Sequence, residues 1–208
     1  MRTKSDIAFD TAASNALAED EASLKATNTS SVANVKPKPM PTLTRPISTK
    51  LVKNVWPLQK DAIAFYGDPF KPDFLASLTH VTCPWTFTTG HNLIISHKKC
   101  ADSLMRVLNK TWNDIGKSQE HAHNLGYDVF DGSYVVRPMR GGKLPSMHSF
   151  GCAFDFDAAQ NQQHSMKHLF QRNTPLVDNF LNESWVWGGD WSPASIDAMH
   201  FQAARVHA

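Results

Sequence analysis

Two short segments near the C-terminal end constrain this chain more than anything else in it. They are Ser146-Met-His148-Ser-Phe-Gly-Cys-Ala-Phe-Asp155 and Asp197-Ala-Met-His200. His148 and Asp155 stand seven positions apart, too far for one helical face and too near for separate domains. A loop entering a strand brings both to one point, with Gly151 permitting the turn and Ala153 leaving room above it. His200, at the start of a second strand, completes a set of two imidazoles and one carboxylate. Such a set suits one zinc ion at contacts of about 2.0–2.2 Å and leaves the fourth position to water, as a catalytic site requires. Whatever the chain folds into has to bring these two segments together.

Asp197 adds a fourth acidic group, three residues before His200. Its carboxylate can take a proton from the attacking water and later give it to a leaving amine. A metal ion beside it lowers the pKa of water and polarises a scissile carbonyl. Arg137 and Arg140, just upstream, are candidates for holding a substrate carboxylate or stabilising an oxyanion.

The chain has 208 residues, 41% of them hydrophobic and 19% charged, enough for one globular domain with a core and something left over. No apolar run reaches the ~18 residues of a membrane span. The N-terminal residues lack the apolar stretch of a secretory signal, so synthesis in the cytoplasm is expected. The net charge is +2, far from the basicity of a nucleic-acid binder. Cys83, Cys100 and Cys152 cannot make a full disulfide framework. Cys83 with Cys100 is the one conceivable pair, and free buried thiols are the preferred reading.

Residues 1–50 are rich in Ala, Ser, Thr, Asn, Lys and Pro, with no aromatic after Phe9. They read as a disordered leader, with a docking arm onto a larger assembly as the alternative; a short helix over Phe9 to Leu24 fits the Ala and Leu content. Aromatics arrive with Val55-Trp56-Pro57, and residues 51–208 form the expected catalytic domain. Strands are expected at Trp85-Thr-Phe-Thr88, Leu93-Ile-Ile-Ser96, Ser133 to Arg137, Trp185 to Trp187 and Phe201 to Val206. Leu104, Leu108, Trp112 and Ile115 predict a helix from Lys98 to Ile115, ended by Gly116. A second helix is expected over Ser165 to Leu181, interrupted near Pro175. Cys152 to Asp157 alternates, so Ala153, Asp155 and Asp157 share one strand face while Phe154 and Phe156 take the core face. Strands and helices mix without βαβ regularity, which predicts an α+β fold with a small antiparallel sheet flanked by helices.

Ser146-x-His148-x-x-Gly151-x-Ala153-x-Asp155, with Trp187-Gly-Gly-Asp190-Trp191 and Asp197-x-x-His200-Phe201, resembles the M15 zinc peptidases. The pattern is most similar to their bacterial and phage branch of D-alanyl-D-alanine carboxypeptidases and L-alanyl-D-glutamate endopeptidases. The resemblance spans about residues 85–206. It implies the fold shared with the Hedgehog signalling domain, zinc held by His148, Asp155 and His200, and Asp197 as general acid/base. Ser146 matches the family's serine near the substrate, while the substrate-binding arginine is Arg137 or Arg140. Aspartate at 197, where several relatives carry glutamate, tilts the comparison toward the endopeptidases. The implied substrate is the peptide stem of bacterial peptidoglycan. Phage lysins of this kind reach the wall after lysis or ride on the virion. A monomer is expected.

The remaining histidines read as surface or satisfied core groups, His80, His91, His97, His121, His123 and His207 among them. His164 and His168 stand four apart on the expected second helix, but Ser165 replaces the glutamate of HExxH. Asp157 and Asp190 are either groups orienting a ligand imidazole or turn acids. Trp185 and Trp187 read as core, Trp191 as a cleft residue. A non-catalytic, zinc-containing binding module of the same fold is the competing reading, against which the presence of Asp197 counts.

Overall fold

The computed structural model describes residues 54–139 and 141–207. The N-terminal tail, with the helix expected over Phe9 to Leu24, and Arg140 lie outside the described residues. Helix α1 is Ala62–Tyr66, followed by the antiparallel hairpin β1 (Leu78–Thr82) and β2 (Leu93–His97). Then come α2 (Lys98–Asp114), α3 (Gln119–Asn124), β3 (Phe130–Gly132) and β4 (Ala153–Phe156). Helix α4 is Pro175–Asn182, and β5 (Val186–Trp187) and β6 (His200–Gln202) close the fold. Strands β3, β4, β6 and β5 lie in that order in one antiparallel sheet. The architecture is α+β with small antiparallel sheets, as the irregular mixture of elements predicts. No helix among the described residues is long and apolar enough to cross a membrane.

The four-stranded sheet has one apolar and one polar face because β4 and β6 alternate in phase. Phe154, Phe156 and Phe201 are wholly buried, and Phe201 stacks on Phe180 of α4 at 4.3 Å between ring centroids. Trp185 meets both Phe154 (5.4 Å) and Phe180 (5.3 Å). Each such side chain contributes about 1.5–3 kcal/mol through burial. Together they clamp the sheet to α4, which packs in turn on α2. Leu104, Leu108 and Ile115 of the α2 segment are buried and Trp112 is half-buried, the stripe that the periodicity predicts. His97 is a satisfied core group: its Nδ1 caps α2 by accepting from the Lys99 N–H, while Nε2 faces the Tyr66 carbonyl. Cys83, Cys100 and Cys152 are free and buried.

Several expected elements differ, for one recurring reason. Trp85 to Thr88 is not a strand; the hairpin's first strand is Leu78–Thr82. The Thr86 N–H and carbonyl are both taken by the Gln119 side chain (2.9 and 2.8 Å), and the Trp85 indole donates to Tyr127 O. Ser133 to Arg137 is likewise no strand. There the Ser149 hydroxyl sits against the carbonyls of Val135 (3.1 Å) and Arg137 (2.8 Å) and accepts the Arg137 N–H (2.9 Å). In both places a polar side chain fills the role of a neighbouring strand. The strand expected over Phe201 to Val206 begins at His200 and stops at Gln202; beyond it Arg205 bridges to Leu58 and donates to Trp56 O.

The helix expected from Ser165 to Leu181 exists only as α4. Pro175 is its first residue, where the missing N–H costs nothing, rather than an interruption. The preceding loop is held by Asn161, whose amide oxygen accepts from Phe170 N–H while its nitrogen donates to Asp157 O. His164 has φ +65° and lies outside any helix, so it and His168 share no helical face.

Glu183, just past α4, ties the N-terminal approach to α2. Its carboxylate accepts from Arg106, Asn54 and Ser103 at 2.8–2.9 Å, and its carbonyl accepts from Asn54. Burial pushes the carboxyl up, but these donors, Arg106 foremost, outweigh it and hold the pKa below its ordinary value. The stabilisation is therefore fully present above the ordinary glutamate range and fades as pH falls below it. Glu183→Ala is expected to cost about 2–3 kcal/mol in urea unfolding at neutral pH. The gap should shrink on acidification; a constant gap would refute the charge as its source.

Candidate metal centre

Asp155 on β4 and His200 on β6 are direct cross-strand partners, so one register places two of the three expected ligands side by side. His148 arrives from the 3-10 turn Met147–Phe150 that leads into β4. That turn ends at Gly151, whose φ is +63° and whose Cβ position would meet Leu78 and the His97 amide nitrogen at 2.9 and 3.0 Å. Only glycine fits there without displacing neighbours.

The three side chains converge. His148 Nε2 lies 3.2 Å from His200 Nδ1 and 3.2 Å from Asp155 Oδ2, and His200 Nδ1 lies 2.9 Å from Asp155 Oδ1. Both imidazoles are buried and the carboxylate is half-buried. The other ring nitrogens fix the tautomers. His148 Nδ1 faces the Ser133 carbonyl at 3.1 Å, which can only accept, so the proton sits on Nδ1. Gln202 donates its amide nitrogen to Ala204 O, leaving Oε1 to accept from His200 Nε2 at 3.1 Å. Each histidine thus turns an unprotonated nitrogen toward the other and toward a carboxylate. Three electron-rich atoms so close together suit a cation among them. A tetrahedral ion with contacts of about 2.0–2.1 Å has donor–donor edges of about 3.3–3.4 Å, close to the separations found. The residues present fit a divalent metal ion.

The electrostatics point the same way. Burial pushes Asp155 up, but the two imidazoles beside it outweigh this and hold the carboxyl far below its usual range. Burial pushes His200 down, yet Asp155, with Asp197 behind it, pulls the imidazole above its ordinary value. Positive charge is favoured at the point where the three side chains meet.

Asp197 stands at the start of the turn into β6. Its N–H donates to Gly188 O (3.0 Å) and its carbonyl accepts the His200 N–H (3.1 Å). Gly188 makes this approach possible, since a Cβ there would overlap the Asp197 backbone. The Trp187-Gly-Gly segment is thus the seat of Asp197 beside His200. The Trp191 ring lies 5.5 Å from that of His200.

The other expected site residues fall less close. Ser146 is buried just before the His148 turn, with its N–H on Arg137 O (2.9 Å). Arg137 has its backbone pinned by Ser149, while its guanidinium donates to Pro138 O (3.4 Å) rather than to the ligand group. Asp157 leaves the strand face that the alternation gave it. With φ +44°, it turns its carboxylate to the Gln160 N–H and serves the turn after β4. Asp190 forms a two-pronged pair with Arg172 (2.8 and 2.6 Å). Trp185 and Trp187 are core, and Trp191 is partly exposed.

Gln202 was missed, although the signal was available: two positions after His200 on a strand, it shares the ligand face. It holds the ring that offers Nδ1 to the site. Gln202→Leu is expected to weaken metal binding about 10–100-fold, read by competition with a chromogenic chelator; unchanged affinity would refute this orienting role.

Residues 140–203 match the family model described as D-alanyl-D-alanine carboxypeptidase, of the M15 peptidases. No curated protein and no solved structure matches the chain at a significant level. The matched stretch contains His148, Asp155, Asp197 and His200, so the match and the convergent geometry fall on the same residues. Over residues 140 to 203 the chain is similar to the M15 peptidases, and the three converging side chains lie within that stretch.

Proposed function

We propose that the chain is a zinc-dependent peptidase that hydrolyses the peptide stems of bacterial peptidoglycan. The observation that carries this reading is the meeting of His148 Nε2, His200 Nδ1 and the Asp155 carboxylate within 3.2 Å of one another, with Asp197 beside them. His148, Asp155 and His200 would hold the ion, which when bound polarises the scissile carbonyl and makes water more acidic. Asp197 accepts the proton of the attacking water and returns it to the leaving amine. Gly188 and the turn into β6 keep its carboxylate at that station, and Gln202 and the Ser133 carbonyl keep the imidazoles aimed. Ser146 and one of Arg137 and Arg140 are the proposed contacts to the stem. A monomer that meets the wall after lysis, or as part of a virion, fits the resemblance to phage lysins.

Digestion of purified peptidoglycan by the zinc-loaded protein, followed by mass spectrometry of the fragments, tests the reading. Free D-alanine identifies a carboxypeptidase, and stems released at L-Ala–D-Glu or at a cross-link identify a lytic endopeptidase. No cleavage by folded, zinc-bound protein sinks the enzyme and leaves a binding module.

A further inference from the structure

Beside the metal centre lies an open cleft of about 310 Å³, within the range of small-molecule sites, about 300–1,000 Å³. Trp191 belongs to both places: it lines the cleft, and its ring lies against that of the ligand His200. Trp187, Met166 and Ile196 add apolar wall, while Arg172 and Asp190 stand in the same lining. The two-pronged Arg172–Asp190 pair (2.8 and 2.6 Å) cancels its own charge yet retains donor and acceptor capacity at its outer edge. His168 and Gln171 complete the polar lining, each already bonded to a backbone carbonyl of its own loop, so Arg172 and Asp190, paired with each other, are the lining's only Arg, Lys, Asp or Glu. A neutral ring with an apolar face and a girdle of hydroxyl and amide groups finds both surfaces that it needs.

We infer that this cleft is the subsite for the N-acetylated sugar from which a peptidoglycan stem hangs. The inference rests on the proposed peptidase reading and deepens it. The stem joins its sugar through its first residue, L-alanine, and an extended chain advances about 3.3–3.6 Å per residue. A bond cut after that residue leaves the sugar within about 7 Å of the reacting carbonyl, linker included; a bond cut after the fourth residue puts it about 13–14 Å away or farther. A cleft that begins one ring away from a metal ligand suits the first case. The scissile bond then lies near the glycan end of the stem, as in an L-Ala–D-Glu endopeptidase.

The test uses full-length zinc-loaded Asp197→Ala, which holds a ligand without turning it over. Two probes are titrated by calorimetry: N-acetylmuramyl-L-alanyl-D-isoglutamine and the same dipeptide without the sugar. The sugar-bearing probe is expected to bind at least tenfold tighter. That ratio should fall to within about twofold of unity when Arg172→Ala and Asp190→Ala are added together, a change that leaves no unpaired charge. Trp191→Ala, with zinc content measured, is the second variant and should lower the ratio likewise. Equal binding of the two probes, or a ratio that survives the Arg172/Asp190 change, overturns the subsite. Failure of the peptidase reading would show separately, as the absence of any wall cleavage by the unsubstituted protein.

Discussion

Asp197→Ala is expected to keep its zinc and to lose about 10²–10⁴-fold in wall hydrolysis, the usual worth of a positioned general acid/base. The reason is a division of labour visible in the site. The three donor atoms that meet belong to His148, Asp155 and His200, and the carboxylate of Asp197 is felt at His200 as a neighbouring charge. Removing it takes away a proton carrier and leaves the donor set whole. The backbone bonds from Asp197 to Gly188 and His200 involve no side-chain atom, so the turn into β6 survives the change. Metal content by atomic absorption and fragment release by mass spectrometry give the two readouts. Full hydrolysis by the variant would remove Asp197 from the chemistry. Unchanged biological activity despite lost hydrolysis would favour the binding module.

His200→Ala should do the opposite, abolishing both metal binding and hydrolysis while the fold persists. Its imidazole nitrogen sits 3.2 Å from His148 and 2.9 Å from Asp155, so its loss opens one corner of the donor triangle. Two donors remain, one fewer than the three protein ligands of catalytic zinc sites. The neighbouring Phe201 stays stacked on Phe180, and circular dichroism should show an intact domain. Stoichiometric zinc binding of undiminished affinity by this variant would show that the three side chains are not the metal's ligands. Chelation of the unsubstituted protein should mimic the variant, and added zinc should restore hydrolysis only in the former.

The site was more legible in the sequence than the fold around it. His148, Asp155 and His200 could be named because imidazole and carboxylate groups beside Gly151 and Ala153 have few other uses at such spacing. Phe154 and Phe156 could be assigned to the core because alternation on a half-buried strand is a local signal. Helix α2 was legible for the same reason, its apolar stripe recurring within a single segment. The misplaced strands are of another kind. At Thr86 and at Val135 to Arg137 the backbone is satisfied by Gln119 and by Ser149, and these partners lie 33 and 12–14 positions away. No pattern within the segment itself records such a partner.

The sequence by itself determined the chemistry available at the site and which strand and helix faces turn inward. Both follow from the kinds of side chain present and from periods of two or 3.6 residues that a short window contains. Only the tertiary structure decided that Asp155 faces His200 across two strands, that Gln202 aims the ring, and that Trp191 joins the metal centre to a cleft with a neutral ion pair in its wall. Each of these depends on strand register and on contacts across long loops. They are set by how the whole apolar face of the sheet seats on α4, not by any local preference.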